Sequence, residues 1–159
     1  MTTLPYRPCV GAALFNGAGQ VFIARRLGSM ADDAWQMPQG GIDDGEDPAI
    51  AVLRELQEET GITQAAIIGE HPDWLTYDLP THLIGVALRG QYRGQRQRWF
   101  ALRFTGTDTD IHLDHDGHPE FGAWRWAGLN ELTSVVVAFK RPIYAVLARS
   151  FARFTVPAI

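Results

Sequence analysis

Between Gly40 and Ile62 the chain reads GGIDDGEDPAIAVLRELQEETGI, and no other stretch limits its fold as tightly. A glycine-rich segment runs into a helix here. Asp47 is a good N-cap, and Pro48 suits the first helical position, where its missing N–H costs nothing. Gly61 is a good stop just past the last turn. Ala49, Val52, Leu53 and Leu56 recur at the spacing of one buried face. Glu55, Glu58 and Glu59 stand at i, i+3 and i+4 and share another face. On a wheel of ~100° per residue the two faces are expected to point in nearly opposite directions, one into a core and one holding the carboxylates together.

Those carboxylates repel. Like charges at i,i+4 destabilise a helix by roughly a few tenths of a kcal/mol per pair. Arg54 relieves part of this by pairing with Glu58 at i+4 or with Glu46 ahead of the helix. A hard divalent cation relieves it fully, since Mg²⁺ takes oxygen ligands from one or two carboxylates, waters and substrate phosphates. The competing reading of a Glu triplet is a solvated acidic face.

The spacing shifts the balance between these readings. Counting from Gly40, Glu46 follows after five residues and Arg54 after seven more, and the run continues Glu55-Leu56-Gln57-Glu58-Glu59-Thr60-Gly61-Ile62. This resembles the Nudix box, G-x5-E-x7-R-E-U-x-E-E-x-G-U with U aliphatic, at all nine specified positions over 23 residues. The resemblance implies a Nudix hydrolase, a divalent-metal enzyme that cleaves a diphosphate linkage attached to another moiety. It implies Glu55, Glu58 and Glu59 as metal ligands and Gly40 as donor of a backbone carbonyl to a metal. Arg54 and Glu46 would brace the loop–helix–loop. The implied cofactor is Mg²⁺, with Mn²⁺ or another divalent ion able to substitute.

Composition sets the outer bounds. A chain of 159 residues suits a single domain over 1–159. The net charge of −4 argues against a broadly basic surface for nucleic acid, while leaving room for contact with one RNA end. The lone Cys9 forms no internal disulfide, which fits a reducing compartment, and its apolar run to Phe15 reads as a buried strand in which a thiol is inert. No run approaches the ~18 apolar residues of a membrane span, and no signal peptide opens the chain, so a cytoplasmic protein is expected.

Residues 6–26 read as a hairpin turning at Asn16-Gly17-Ala18-Gly19. Gly17-Ala18-Gly19 is not a dinucleotide loop, because Phe22 replaces the third glycine and a strand follows. Strands are expected at 64–69, 82–89, 97–104 and 121–126, with a turn at 90–94 and a polar loop at 105–119. Leu129 to Leu132 reads as a helical turn. Ile143, Val146, Leu147 and Phe151, with Tyr144 and Ala148 beside them, make a second helical face. The expected fold is α/β, a mixed β-sheet sandwiched between helices. His112, His115 and His118, with acids between them, allow a zinc reading, but their loop reads better as exposed polar histidines.

Further segments are similar to one branch of the Nudix family: Tyr6-Arg7-Pro8-Cys9-Val10-Gly11, Trp35-Gln36-Met37-Pro38-Gln39-Gly40-Gly41, Trp74 to Pro80, Gly94 to Phe100, Pro119-Glu120-Phe121 with Trp124-Arg125-Trp126, and Val136 to Arg141. That branch holds RNA pyrophosphohydrolases and asymmetric diadenosine tetraphosphate hydrolases. The resemblance implies Glu120 as a further metal ligand. Arg7, Arg26, Gln39, Gln95, Gln97 and Lys140 would line the phosphate chain. Val137 and Phe139 would contact a base, and Tyr77, the tyrosine that accompanies dinucleoside polyphosphates in this family, would stack on one. Tyr77, Val137 and Phe139 read equally as ordinary core, and Trp99, Trp124 and Trp126 as core. The implied substrate is a nucleoside polyphosphate or an RNA 5′ end, with no membrane and no stable protein partner inferable. Two alternatives stand: another Nudix activity on ADP-ribose or a nucleoside triphosphate, and a non-catalytic nucleotide or RNA binder. The binder predicts an eroded box, whereas here every box position is intact.

Overall fold

The computed structural model of the protein describes residues 4–114 and 117–157. The apolar run at the start forms β1, Tyr6–Phe15, buried from Cys9 onward. It turns back into β2, Val21–Arg26, at Asn16, whose side-chain oxygen accepts from the N–H of Ala18 and of Gln20 at 3.0 and 2.9 Å. The remaining strands are β3 (Trp35–Gln36), β4 (Gln39–Gly41), β5 (Ala65–Glu70), β6 (Leu75–Asp78), β7 (Gly94–Phe104) and β8 (Phe121–Ala127). β1 and β7 run parallel in register from Tyr6 opposite Gly94 to Phe15 opposite Arg103. The other pairs are antiparallel: β1 with β2 and β4, β2 with β3 and β8, and β7 with β5 and β6. The sheet is mixed, as expected.

Period-two alternation on β1 sends side chains into two cores. Val10, Ala12 and Leu14 join Val52, Leu56 and Ile62 under α1, Pro48–Thr60. Ala13 and Phe15 join Trp99, Tyr144, Leu147 and Phe151 under α3, Arg141–Ser150, and the short α2, Leu132–Val135. Helices therefore cover both faces of the sheet. Among the described residues no helix is long and apolar enough to cross a membrane. Burial pushes the Cys9 thiol up to about 11, in keeping with an inert core cysteine.

Several expectations change. Residues 82–89 are not a strand. A 3-10 turn at Thr81–Leu83 follows Pro80, and Leu88 and Arg89 take left-handed φ values of 54° and 57°. Leu83, Ile84, Ala87 and Leu88 still pack partly against the core, so a looped backbone carries the apolar content of a strand. The place beside β7 belongs to β6, with Tyr77 opposite Gln95. On α1, Leu53 is 41% exposed and Ala51 is buried in its stead. Glu59, only 5% exposed, shows that the acidic face borders the core face rather than opposing it. Glu59 lies roughly 20° from Val52 on the wheel, so it is drawn inward with it. Val146 on α3 is half-buried and Tyr144 fully so. Trp99 is core, while Trp124 and Trp126 are half-buried, with ring centroids 5.7 and 6.0 Å from that of Phe22.

Gly11 is forced by packing, since a Cβ there would overlap the Trp99 indole. Gly11→Ala should destabilise the protein by roughly 1–3 kcal/mol through overpacking. Gly17→Ala, in open space, should be near neutral. Urea titration of the two variants checks the contrast.

Candidate active site

The loop–helix unit forms as its residues dictate. Asp47 takes extended backbone at the N-cap and accepts from Ala49 N at 2.8 Å, Pro48 opens α1, and Gly61 closes it at φ 74°. Arg54 then ties the helix to the preceding loop. Its Nε and Nη2 each donate to Glu46 at 2.8 Å, and Nη2 also donates to the Gly41 carbonyl at 2.9 Å. Nη1 donates to Glu55 at 2.9 Å and to Glu58 at 3.2 Å. Glu46 in turn accepts from Asp43 N at 3.0 Å. The Arg54 hydrogen bonds hold the Glu46 carboxyl down at about 2. Both pairings open to Arg54 in the sequence are made, and Glu55 is a third.

Glu55, Glu58, Glu59 and Glu120, with His118, line a cavity of about 160 Å³. Burial raises the Glu55 carboxyl against the opposing pull of Arg54, and Glu58 and Glu120 add like charge. Burial also holds Glu59 well above the carboxylate range, with the Glu120 and Glu55 charges adding to it. Glu59 Oε2 is buried and has no hydrogen-bond partner among the described residues. Gly40, on β4, lies against these acids so closely that a Cβ would overlap the Glu55 carboxylate. Glu120 stands just before β8, its carbonyl accepting from Leu27 N at 2.8 Å. Among the described residues no three acidic, His or Cys side chains are already arranged to enclose an ion, because Glu55 and Glu58 are turned to Arg54. An orphaned buried carboxylate oxygen among mutually repelling acids nevertheless fits a divalent cation, which satisfies the oxygen and the charge together.

A larger cavity of about 570 Å³ spreads from the acids. Glu55, Glu58, Glu59, Glu120 and Gly40 line it together with Arg7, Arg26, Gln39 and Gln95. Three expected phosphate-lining residues thus share one space with Gln95. Gln97 does not reach it. Its amide is buried, donating to Gln95 Oε1 at 2.8 Å and accepting from Trp99 Nε1 at 2.8 Å, so it orients Gln95 from behind.

Val137, Phe139 and Lys140 line a separate cavity of about 260 Å³ with Arg26, Trp35 and Gln36. Lys140 Nζ donates to Gln36 Oε1 at 3.2 Å and stands 5.8 Å above the Tyr77 ring. Tyr77 is 8% exposed and tilted against Phe139 at 5.3 Å, so it belongs to the core and supports Phe139. His115 lies outside the described residues. His112 and His118 are exposed, as expected of that loop, but His118 also borders the acid cavity. Its place there, and those of Trp35 and Gln36, had no signal in spacing alone. They are brought in by β3 and by the loop before β8.

Comparison with known proteins identifies the family. The NUDIX domain model matches residues 5–147. The chain is 58% identical over 161 residues to the RNA pyrophosphohydrolase of Gluconacetobacter diazotrophicus, with 98% of this chain and 96% of that one covered. It is 57% identical to the RNA pyrophosphohydrolase of Acidiphilium cryptum, over 96% of this chain and 94% of the relative. In fold it is similar to an Ap4A hydrolase binary complex from C. elegans, with TM-score 0.65 at 19% identity over 92% of this chain and 98% of that one. It is also similar to the E. coli dihydroneopterin triphosphate pyrophosphohydrolase, with TM-score 0.69 at 18% identity over 92% and 99% of the two chains. The match across most of the chain, with the box intact on α1, shows that this protein belongs to the NUDIX domain family of hydrolases.

Proposed function

We propose that the protein is a pyrophosphohydrolase of RNA 5′ ends, in which water attacks the phosphoric anhydride of a 5′-triphosphate and pyrophosphate leaves. The observation that carries this reading is one cavity lined by Glu55, Glu58, Glu59 and Glu120 together with Arg7 and Arg26. Acids suited to a cation and arginines suited to phosphate oxygens surround the same space. The relatives named RNA pyrophosphohydrolase support RNA as the carrier of that polyphosphate.

In this reading Glu55, Glu58, Glu59, Glu120 and the Gly40 carbonyl would hold Mg²⁺ or another divalent ion, which would supply Lewis-acid charge to the phosphoryl oxygens and lower the pKa of a water. Arg54 and Glu46 keep the acids on a fixed frame. Either Glu55 or Glu59 takes the proton of the attacking water. Arg7, Arg26, Gln39 and Gln95 hold the phosphate chain, with Gln97 fixing the Gln95 amide. Val137 and Phe139 meet a base, backed by Tyr77, and Lys140 adds charge at the junction.

A second reading, asymmetric hydrolysis of a dinucleoside polyphosphate, is favoured by the two further cavities that adjoin the acid cavity. The test is kcat/KM with Mg²⁺ on 5′-triphosphate RNA beside diadenosine tetraphosphate. RNA should be preferred by about tenfold or more, equivalent to ~1.4 kcal/mol of transition-state discrimination. Preference for the dinucleotide, with ATP and AMP as products, would move the assignment to the second reading. Glu58→Gln should cost roughly 100-fold or more in kcat/KM. Its fold should survive, since Glu58 is half-exposed and, among the described residues, pairs with Arg54 alone. Unchanged turnover would remove Glu58 from the site.

Lys140 gives a pH dependence. Burial first, and the Arg26 charge second, bring its ammonium down to about 8. Below that value Lys140 is charged and attracts phosphate; above it the charge is lost. KM for RNA should rise as pH passes 8, and Lys140→Met should flatten the rise. A parallel rise in the variant would separate Lys140 from phosphate binding.

A further inference from the structure

The expected strand that became a loop leaves a feature the RNA reading does not use. Within this stretch Leu88 borders the acid cavity, and Leu88, Arg89 and Tyr92 help to bound a second cavity of about 450 Å³, whose walls also include Arg7, Asp43 and Asp44. This cavity shares Arg7, Gly41, Glu55 and Leu88 with the acid cavity. The cavity of Trp35 and Phe139 meets the acid cavity at Arg26. The acid cavity therefore adjoins both of the others, its two arms, through Arg7 and its neighbours on one and through Arg26 on the other.

The arm at Leu88, Arg89 and Tyr92 is built at a conformational cost. Leu88 and Arg89 are consecutive L-residues in the left-handed region, a conformation that ordinary side chains rarely adopt. Backbone bonds lock them there: Ala87 N to Leu83 O at 2.9 Å, Gly90 N to Ala87 O at 3.0 Å and Gln91 N to Leu88 O at 3.2 Å. The result puts Arg89 and Tyr92 on the wall of this arm. Neither has a hydrogen-bond, ion-pair or ring partner among the described residues. A planar cation and an aromatic ring stack on nucleobases, while Asp43 and Asp44, which line the same cavity, can accept from base amino groups or ribose hydroxyls.

Resting on the polyphosphate reading of the central cavity, we propose that this arm is a second nucleoside subsite. In it Arg89 and Tyr92 hold the nucleoside on the far side of the phosphate chain from the one in the Trp35–Phe139 arm. A 5′-triphosphate RNA ends at its terminal phosphate and places nothing there. A dinucleoside polyphosphate carries a nucleoside at each end and fills both arms. Arg89 and Tyr92 are therefore residues that separate the two substrate classes, and the arm explains how a site that fits RNA ends would also accept the dinucleotide.

The test compares Arg89→Ala, Tyr92→Leu and the double variant with the unaltered protein, each loaded with Mg²⁺. The substrates are diadenosine tetraphosphate and a short 5′-triphosphate RNA. Alanine at position 89 keeps a Cβ in the same backbone region, and RNA turnover serves as the internal check of folding. The double variant should lose about tenfold or more in kcat/KM on the dinucleotide, with RNA turnover unchanged within about twofold. Equal losses on both substrates, or no loss on the dinucleotide, would overturn the second subsite while leaving the central site standing. An unaltered protein that cleaves neither substrate would instead overturn the proposed function on which the subsite rests.

Discussion

Much of this site depends on one guanidinium. Arg54 is held by two bonds to Glu46 and one to the Gly41 carbonyl, and from that anchored position it reaches Glu55 and Glu58. A planar fork with fixed donors fixes the separation of the groups it binds. It therefore sets the loop before α1 at a constant distance from the helix. Gly40 and Gly41 can then approach the Glu55 carboxylate and the Arg7 guanidinium more closely than any residue with a Cβ. A lysine in the place of Arg54 would carry the charge without the geometry.

The carboxylates pay for this closeness in repulsion and desolvation. Glu59 is drawn into the core margin beside Val52 and keeps an unpartnered oxygen, with its carboxyl raised by burial and by its acidic neighbours. Buried polar atoms are nearly always satisfied in native proteins, and the cation proposed for this cavity would satisfy this one. To the same cavity the sheet supplies neutral amides. Trp99 holds Gln97 and Gln97 holds Gln95, so a residue deep in the core sets the aim of a side chain on the cavity wall. Gly11 leaves the room for Trp99 that this chain of contacts requires.

Local rules made much of the molecule legible. The cap at Asp47, the stop at Gly61, the hairpin at Asn16 and the amphipathic end helix all follow from interactions within a few residues, and they form as expected. The box residues were legible because their spacing along one helix already determines which of them can meet. The misreadings have a common cause. Residues 82–89 have the apolar content of a strand, yet Pro80 and the left-handed Gly85 and Gly90 set a looped backbone that packs the same side chains. Tyr77, which read equally as a stacking residue or as core, is buried in the core, and Gln97 is buried against Gln95, because strand alternation alone does not say which layer covers a face.

By itself, the sequence determined the loop–helix unit, the mixed α/β class and the family, since each is encoded in periodicity, capping and fixed spacing within short windows. Only the tertiary structure decided how far Glu59 sinks into the protein, that His118 borders the cavity of the acids, and that Arg7 and Arg26 each line the acid cavity together with a different neighbouring one. Those outcomes depend on the pairing of β1 with β7 and of β2 with β8, contacts between residues far apart in the chain. Local sequence does not carry such contacts, because they are selected by packing both faces of one sheet at once.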